Sequence, residues 1–311
     1  MIKKIITRVL NSIRHRIFFY IFNRIEFPKY ITTIRLNKDN KKTLPSNDND
    51  YWATVARNIN REFFLDMGNF LKKKIIMDHL AHPDFFLGES IISRLKQSEY
   101  GKMLLARIQD SPVGSPYLIP SYPLLSPTTA SHLANLCEIK EKLNIDLISK
   151  HSHFVDFGGG YGGLSRCVLN LNISNTVSII DLHEMLEIQT EFLKLSVSNP
   201  DHRVIFQDTA TIATSKVNVT VFNASFSLSE ISSSQREIVV EYIRNRVENF
   251  MILYQAKFNN TENTKAFSEI QDRLSEQFDV NTDKYLWFSR RNDVSVLYGK
   301  RRVVRAEVGV K

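Results

Sequence analysis

The sequence predicts an α/β protein: a doubly wound, mainly parallel seven-stranded sheet with an antiparallel C-terminal hairpin, preceded by a helical N-terminal region. Three observations carry that expectation. From residue 153 onward, short apolar or β-branched runs alternate with longer stretches, the clearest of which have helical periodicity. Five of the eleven glycines fall between 158 and 163, at the joint between the first such run and the first such stretch. The last two runs, "YLWFSRR" and "VSVLYGKRR", are separated only by Asn292 and Asp293, a two-residue turn signal that makes them antiparallel neighbours.

In chain order, residues 1–35 read as a basic amphipathic helix. Ile2, Ile5, Ile6, Val9, Ile13, Ile17, Tyr20 and Ile21 recur at helical spacing with cations between them, and the first acid is Glu26. The longest apolar run there, Ile17–Phe22, is far short of a membrane span, and no signal-peptide pattern is present. Two roles suit such a helix: residues 1–25 lying on an anionic membrane surface, or the apolar stripe packing on the chain's own core. Residues 36–50, "LNKDNKKTLPSNDND", form a polar linker. Residues 51–150 read as a helical cap or substrate region. Helical spacing runs through 51–107, and the loop 110–127 then holds five of the nine prolines. Proline fixes φ and removes a donor, so that loop is extended rather than helical. A further helix carries Leu133, Leu136, Cys137 and Leu143 on one face.

Residues 151–311 hold the alternating part. Its strand-like runs are "HFVDF", "TVSIID", "HRVIFQD", "VNVTVFNA" and "NFMILYQA". Leu164, Cys167, Val168 and Leu171 make a helical stripe after the glycines, and Phe267, Ile270, Leu274 and Phe278 make another near the end. "SSSQREIVVEYIRNRV" opens with Ser232 and Gln235 at capping-box spacing. Strands alternating with helices imply βαβ units and a parallel sheet buried on both faces, a Rossmann-like arrangement.

Composition narrows the function. Of the 311 residues 43% are hydrophobic, with twenty Phe and eleven Tyr, which supplies a sizeable core. Two cysteines, Cys137 and Cys167, form neither a disulfide framework nor a metal-ligand pattern, which fits a reducing, cytoplasmic setting. The net charge of +8 is carried by the ends: eleven Lys/Arg against four Asp/Glu in 1–50, and eight against three in 282–311. The middle is slightly acidic, and no nucleic-acid-binding signature occurs, so nucleic acid is not the expected partner. No carboxylate trio at convincing spacing demands a metal, which leaves a metal-assisted variant of the chemistry open.

The glycine turn, "HFVDFGGGYGGLSR", suits a backbone that comes close to a ligand, with a helix N-terminus beyond it to supply free N–H groups. Its glycines fit two patterns. Gly158, Gly160 and Gly163 satisfy the dinucleotide spacing G-x-G-x-x-G, whereas Gly158, Gly160 and Gly162 satisfy G-x-G-x-G with Asp156 two positions before the first glycine. Asp156 discriminates between them. A carboxylate there repels the pyrophosphate of NAD but suits the sulfonium and α-ammonium of S-adenosylmethionine. Asp181 ends the next strand, nineteen residues past Gly162, from where it can accept hydrogen bonds from ribose hydroxyls of either cofactor. Tyr161, inside the turn, is a candidate to cover the methionine portion, and Asp208, ending the third strand, lies on the adenine side.

"VDFGGGYGGLSR", "VSIIDLHEMLEIQTEFL" and "FNASFSLSEISSSQREIVVEYI" together resemble the sugar O-methyltransferases of bacterial surface-glycan gene clusters, within the Rossmann-like, S-adenosylmethionine-dependent methyltransferases. The resemblance covers about residues 110–300. One departure is His183, where the family's motif carries proline. The resemblance implies methyl transfer to a sugar hydroxyl of a surface glycan or its precursor.

Such a hydroxyl is a poor nucleophile, so a base within hydrogen-bond reach is expected. The acceptor lies beyond the carboxyl ends of the strands. Glu230, in the "SFSLSE" that follows the fourth strand, is the candidate base or orienting group, with Ser229 beside it and Asn223 facing cofactor or acceptor. His151 and His153 precede the first strand and read as structural, and His132 reads as a solvent-facing helix residue. Other readings remain open: methylation of another small molecule, an NAD-dependent enzyme, or a non-catalytic methyltransferase-like binding module.

Overall fold

A computed structural model describes residues 51–302 except 82, 146–151, 259–260 and 289–292. The expected basic helix over 1–35, the linker at 36–50 and His151 lie outside the described residues. The N-terminal region is helical: α1 (Tyr51–Leu65), α2 (Lys74–His79), α3 (Phe85–Leu95), α4 (Glu99–Arg107) and α5 (Pro127–Leu143). Local chemistry sets their ends. Asp84 and Ser98 cap α3 and α4, and Ser126 caps α5 by accepting from Thr129 N–H, with Pro127 in the first turn where no N–H is needed. The proline-rich loop between α4 and α5 is non-helical, as its prolines require, but it is not extended: turns fold it, with Ser115 N–H bonded to Pro112 O at 3.0 Å and Tyr122 N–H to Ile119 O at 3.0 Å.

The sheet begins at β1 (His153–Phe157). It continues through α6 (Gly163–Asn170), β2 (Thr176–Asp181), α7 (His183–Ser196), β3 (Val204–Asp208), β4 (Val219–Ser225), the short α8 (Ser227–Glu230), α9 (Ser233–Arg246) and β5 (Val247–Gln255). A small hairpin, β6 (Lys257–Phe258) and β7 (Thr261–Glu262), leads to α10 (Thr264–Leu274), β8 (Phe278–Lys284) and β9 (Val294–Arg301). Seven strands lie in the order β3-β2-β1-β4-β5-β9-β8, the first five parallel and β9 antiparallel to both neighbours. The Ser232–Gln235 capping box at α9 forms as read from the sequence. The chain leaves β1 toward β2 and later returns to β4 on the other side, so a crevice opens at the carboxyl ends of β1 and β4.

The C-terminal pair differs from expectation in position. The antiparallel partner of β9 is "FDVNTDK", not "YLWFSRR", so the connection is longer than the two-residue turn at Asn292–Asp293. Phe278, expected on the preceding helix, is the first residue of that strand. Tyr285 and Trp287 instead fill the interior, donating to Asn135 Oδ1 and Glu138 Oε2 of α5. Aromatic burial against a helix outweighs their strand propensity.

The period-2 alternation of the strands divides the core in two. Phe154, Val177, Ile179 and Val221 face α6, α7 and the N-terminal helices. Val155, Phe157, Ile180 and Phe222 face α9 and α10. Asp156, Asp181 and Asn223 fall on the first of these faces by the same alternation. No helix among the described residues is long and apolar enough to cross a membrane.

Candidate functional site

The turn after β1 is built by three glycines with left-handed backbone, Gly158 (φ 69°), Gly160 (φ 59°) and Gly162 (φ 91°). Side chains avoid this region, and at Gly158 a Cβ would also collide with Ser227 at the start of α8. Gly158 N–H is bonded to Ile180 O at 2.8 Å, and Gly162 is the N-cap of α6. Asp156, one strand position before the turn, is 3% exposed. Its Oδ2 accepts from Ser165 Oγ at 2.8 Å in the first turn of α6. Burial pushes its carboxyl up to about 6, and the donors Ser165 and Asn223 draw it only partly back. Asp156 was expected to face a cationic ligand. It is turned beneath the glycines instead, so it offers a ligand its charge rather than a direct contact.

Asp181, at the end of β2, is 8% exposed. Oδ1 accepts from Leu182 N–H at 2.8 Å and Oδ2 from Gln189 Nε2 of α7 at 2.7 Å. The Gly160 backbone N–H also draws this acid downward. A carboxylate has roughly four acceptor positions, so the two hydrogen bonds from Leu182 and Gln189 leave acceptor capacity for a ligand's hydroxyls. Burial is the largest influence on this acid and raises it to about 7; the nearby charge of Asp156 adds to the rise. Across the sheet edge, Asp208 pairs with Asp181 in register, and its carboxylate caps Ala210 N–H at 2.8 Å.

At the end of β4, Asn223 lies opposite Asp156 in register and is fully buried. Its Nδ2 donates to Ser225 Oγ at 3.3 Å, and Oδ1 has no hydrogen-bond partner among the described residues. Ser225 Oγ also receives Asn135 Nδ2 at 3.0 Å, which ties α5 to the strand end. The next residue, Phe226, has a positive φ of 73°, a conformation costly for an aromatic side chain. It is held there by Phe226 N–H to Leu253 O at 2.8 Å and by two bonds to its own carbonyl, from Ser229 N–H and Ser229 Oγ. Ser229 is therefore not placed as expected of a catalytic neighbour: its hydroxyl donates to backbone at 2.6 Å and the residue is 1% exposed. Glu230 is half-buried, and its Oε1 accepts from Gln255 Nε2 at 3.1 Å at the end of β5.

Two aromatic expectations are corrected. The ring of Tyr161 does not lie over a ligand. It is buried between Phe70 and Phe192, at centroid distances of 6.0 and 5.1 Å. A tyrosine that leaves the turn on the core side gains more by filling this apolar space than by covering solvent. His132 is half-buried rather than solvent-facing: its Nε2 is buried without a hydrogen-bond partner among the described residues, and burial followed by the Arg166 charge pushes it down to about 3. Arg166 of α6 bonds Gln109 O at 2.9 Å and pairs with Asp110 at 3.5 Å, both side chains buried. Asp110 also accepts from Ser126 N–H and from Thr129 Oγ1. This buried pair fastens the proline-rich loop and α5 to the helix that leaves the glycine turn. His153 is bonded to Ser178 Oγ at 2.8 Å at the far end of the sheet.

The structure thus brings Asp156, Gly158, Gly160, Gly162, Asp181 and Asn223 together around one turn, with Glu230 beyond the end of β4 and Asp208 at the sheet edge. Gln189, Ser165, Asn135 and Ser227 were not anticipated. Among the described residues no group of three or more His, Cys, Asp or Glu is arranged to hold a metal ion.

No protein-family model matches the chain, and no curated protein matches it by sequence. Solved structures similar in fold include an O-methyltransferase family protein from Burkholderia thailandensis (12% identity, 57% of this chain and 58% of that one, TM-score 0.42). Magnesium protoporphyrin IX methyltransferase from Synechocystis PCC 6803, with bound SAM, is another (14% identity, 57% and 81%, TM-score 0.42). A third is the glycopeptide N-methyltransferase MtfA complexed with sinefungin (12% identity, 54% and 93%, TM-score 0.43). The chain thus spans 58% of the length of the Burkholderia protein, less than two thirds.

Proposed function

We propose that this protein is an S-adenosylmethionine-dependent O-methyltransferase that transfers a methyl group to a sugar hydroxyl of a surface glycan or its precursor. The observation that carries the reading is the pair of buried carboxylates, Asp156 and Asp181, flanking three left-handed glycines at the carboxyl ends of adjacent strands. A pyrophosphate over this turn would meet two acids, while Arg166, the cation of α6, is tied to Asp110. A sulfonium and an ammonium meet complementary charge instead. Gly158, Gly160 and Gly162 bring backbone close to the ligand, Asp181 has an acceptor position left for a ribose hydroxyl, and Asn223 Oδ1 is a buried acceptor without a donor among the described residues. Asp208 lies on the adenine side.

When bound, S-adenosylmethionine supplies an already activated methyl carbon, so this chain's own residues have to position the acceptor and exclude water. Glu230 is the group to take or orient the acceptor hydroxyl's proton, held by Gln255. Ser229 shapes the loop that carries Glu230. The helical region 51–150 sets acceptor choice, and the basic segment 1–25 brings the enzyme to a membrane-bound acceptor. Calorimetry of the full chain with S-adenosylmethionine and with NAD tests the cofactor: binding of the first and not the second is expected, with Asp181→Ala weakening it. S-adenosylhomocysteine release with glycan acceptors tests turnover. Wild-type binding of NAD alone, or unchanged S-adenosylmethionine binding in Asp181→Ala, overturns the assignment.

A further inference from the structure

We infer that Gln189 is a positioning residue for cofactor uptake: its amide clamps Asp181 to the glycine turn and sets the pH range over which the cofactor binds. The inference rests on the reading of the site given above. Gln189 is fully buried on the apolar stripe of α7, among Met185, Ile188, Phe192 and Leu193. An amide in such a place costs free energy unless it is hydrogen-bonded, and an aliphatic side chain would simply continue the stripe. Its two N–H donors go to two groups of the site, Asp181 Oδ2 at 2.7 Å and Gly160 O at 2.8 Å. Its Oε1 is buried with no partner among the described residues. Both donors are used while the acceptor goes without, so the acid and the turn dictate how this amide is oriented.

The groups around Asp181 leave Gln189 as the side chain that can hold its charge. Asp156 on β1 repels it, and the donors acting on it besides Gln189 are backbone, Leu182 N–H and Gly160 N–H. Asp208 on β3 lies opposite in register, with its carboxylate turned to Ala210. On α7, His183 is 68% exposed and paired with Glu187, which Asn60 of α1 also bonds, and Asn60 bonds the backbone of Glu184 too. Losing Gln189 therefore removes a charge-assisted bond from a carboxylate already raised by burial, and frees the carbonyl of Gly160.

The test is calorimetric binding of S-adenosylhomocysteine to the full chain from pH 5.5 to 9, comparing wild type, Gln189→Met and Asp181→Asn. The ligand's own ammonium titrates alike in all three, so differences between proteins report on the site. Gln189→Met should move the midpoint of the affinity rise upward by about one to two pH units, the worth of one charge-assisted hydrogen bond. Affinity is then lost roughly tenfold or more near pH 7 and largely recovered at pH 9. Asp181→Asn should flatten the profile. An unmoved midpoint, or an equal loss at every pH, overturns the inference while leaving the cofactor assignment standing. Failure of the wild type to bind overturns the cofactor assignment instead. The clamp is then judged without ligand, from urea unfolding against pH: Asp181→Asn should change the slope more, and at higher pH, in the Gln189→Met background than in wild type, and equal changes overturn it. Should Gln189→Met not fold, Gln189→Glu keeps the shape, adds a second carboxyl and should move either midpoint upward.

Discussion

Replacing Asp181 by Asn should change how stability depends on pH, in a direction opposite to that of most buried ion pairs. The acid's pKa rises from 3.8 to about 7 on folding, chiefly through burial. Between those values the unfolded chain has released its proton while the folded chain keeps it, so rising pH favours unfolding. The stabilising term is fully present below the unfolded value and is lost by about pH 7. Three pH units at roughly 1.4 kcal/mol each give about 4 kcal/mol over this window. Wild type alone does not reveal this, because half-buried His132 titrates across the same range with the opposite sign. Its pKa falls from 6.5 to about 3, so its neutral form favours folding increasingly as pH rises to 6.5.

The diagnostic quantity is therefore the difference between Asp181→Asn and wild type, in which the His132 term cancels. That difference should shift in the variant's favour by about 4 kcal/mol between pH 4 and 8, then level off. A constant offset is expected as well, because the new amide meets the N–H of Gln189 where a carboxylate oxygen had accepted it; this lowers the whole curve by about 1–3 kcal/mol without tilting it. Urea unfolding at half-unit pH steps, followed by far-UV circular dichroism, measures it. A difference that stays flat, or that moves against the variant as pH rises, refutes the assignment of Asp181 as a carboxyl held neutral in the ligand-free site.

Four further outcomes are expected. Gly162→Ala should cost about 1–2 kcal/mol, because its φ of 91° is unfavourable but the nearest atoms to a Cβ are at 3.6 Å. Gly158→Ala should cost more, since its Cβ also meets Ser227, and Ser227→Gly should recover part of the loss in thermal unfolding. Arg166→Met should destabilise by about 3–5 kcal/mol in denaturant titration, leaving Asp110 buried without its cation. Glu230→Gln should lower kcat with a glycan acceptor by about 100- to 10,000-fold at unchanged S-adenosylmethionine affinity, whereas Ser229→Ala should leave kcat within a few-fold. Equal losses in the two variants would show that the loop, not the carboxylate, matters.

What was legible in the sequence depends on whether the signal is local. The glycine cluster, the strand-end acids and the Ser232–Gln235 cap each state their conformation within a few residues, and each formed where the pattern placed it. The C-terminal hairpin did not, because a strand at a sheet edge needs only one buried face and tolerates polar residues. "FDVNTDK" accordingly looks less like a strand than "YLWFSRR", whose Tyr285 and Trp287 belong to the contact with α5. Side-chain direction was the other loss. The sequence puts Tyr161 and Asp156 at the turn but does not say that both point beneath the glycines, which depends on Phe70, Phe192 and Ser165 arriving from elsewhere in the chain.

Gln189 falls between these cases. Its position three and four residues from Phe192 and Leu193, and four from Met185, places it on the buried stripe of α7, and a lone amide in an apolar stripe is a readable anomaly. The buried group that needs its donor lies eight residues earlier, at the end of β2, where sheet and helix meet around Asp181. A cofactor site of the proposed kind would thus be specified twice: once by the glycines that shape its backbone, and once by an interruption in the hydrophobic pattern of the following helix. On the proposed reading the second specification would carry the chemistry, because backbone geometry places a carboxylate at the turn but does not fix the pH at which that carboxylate is charged.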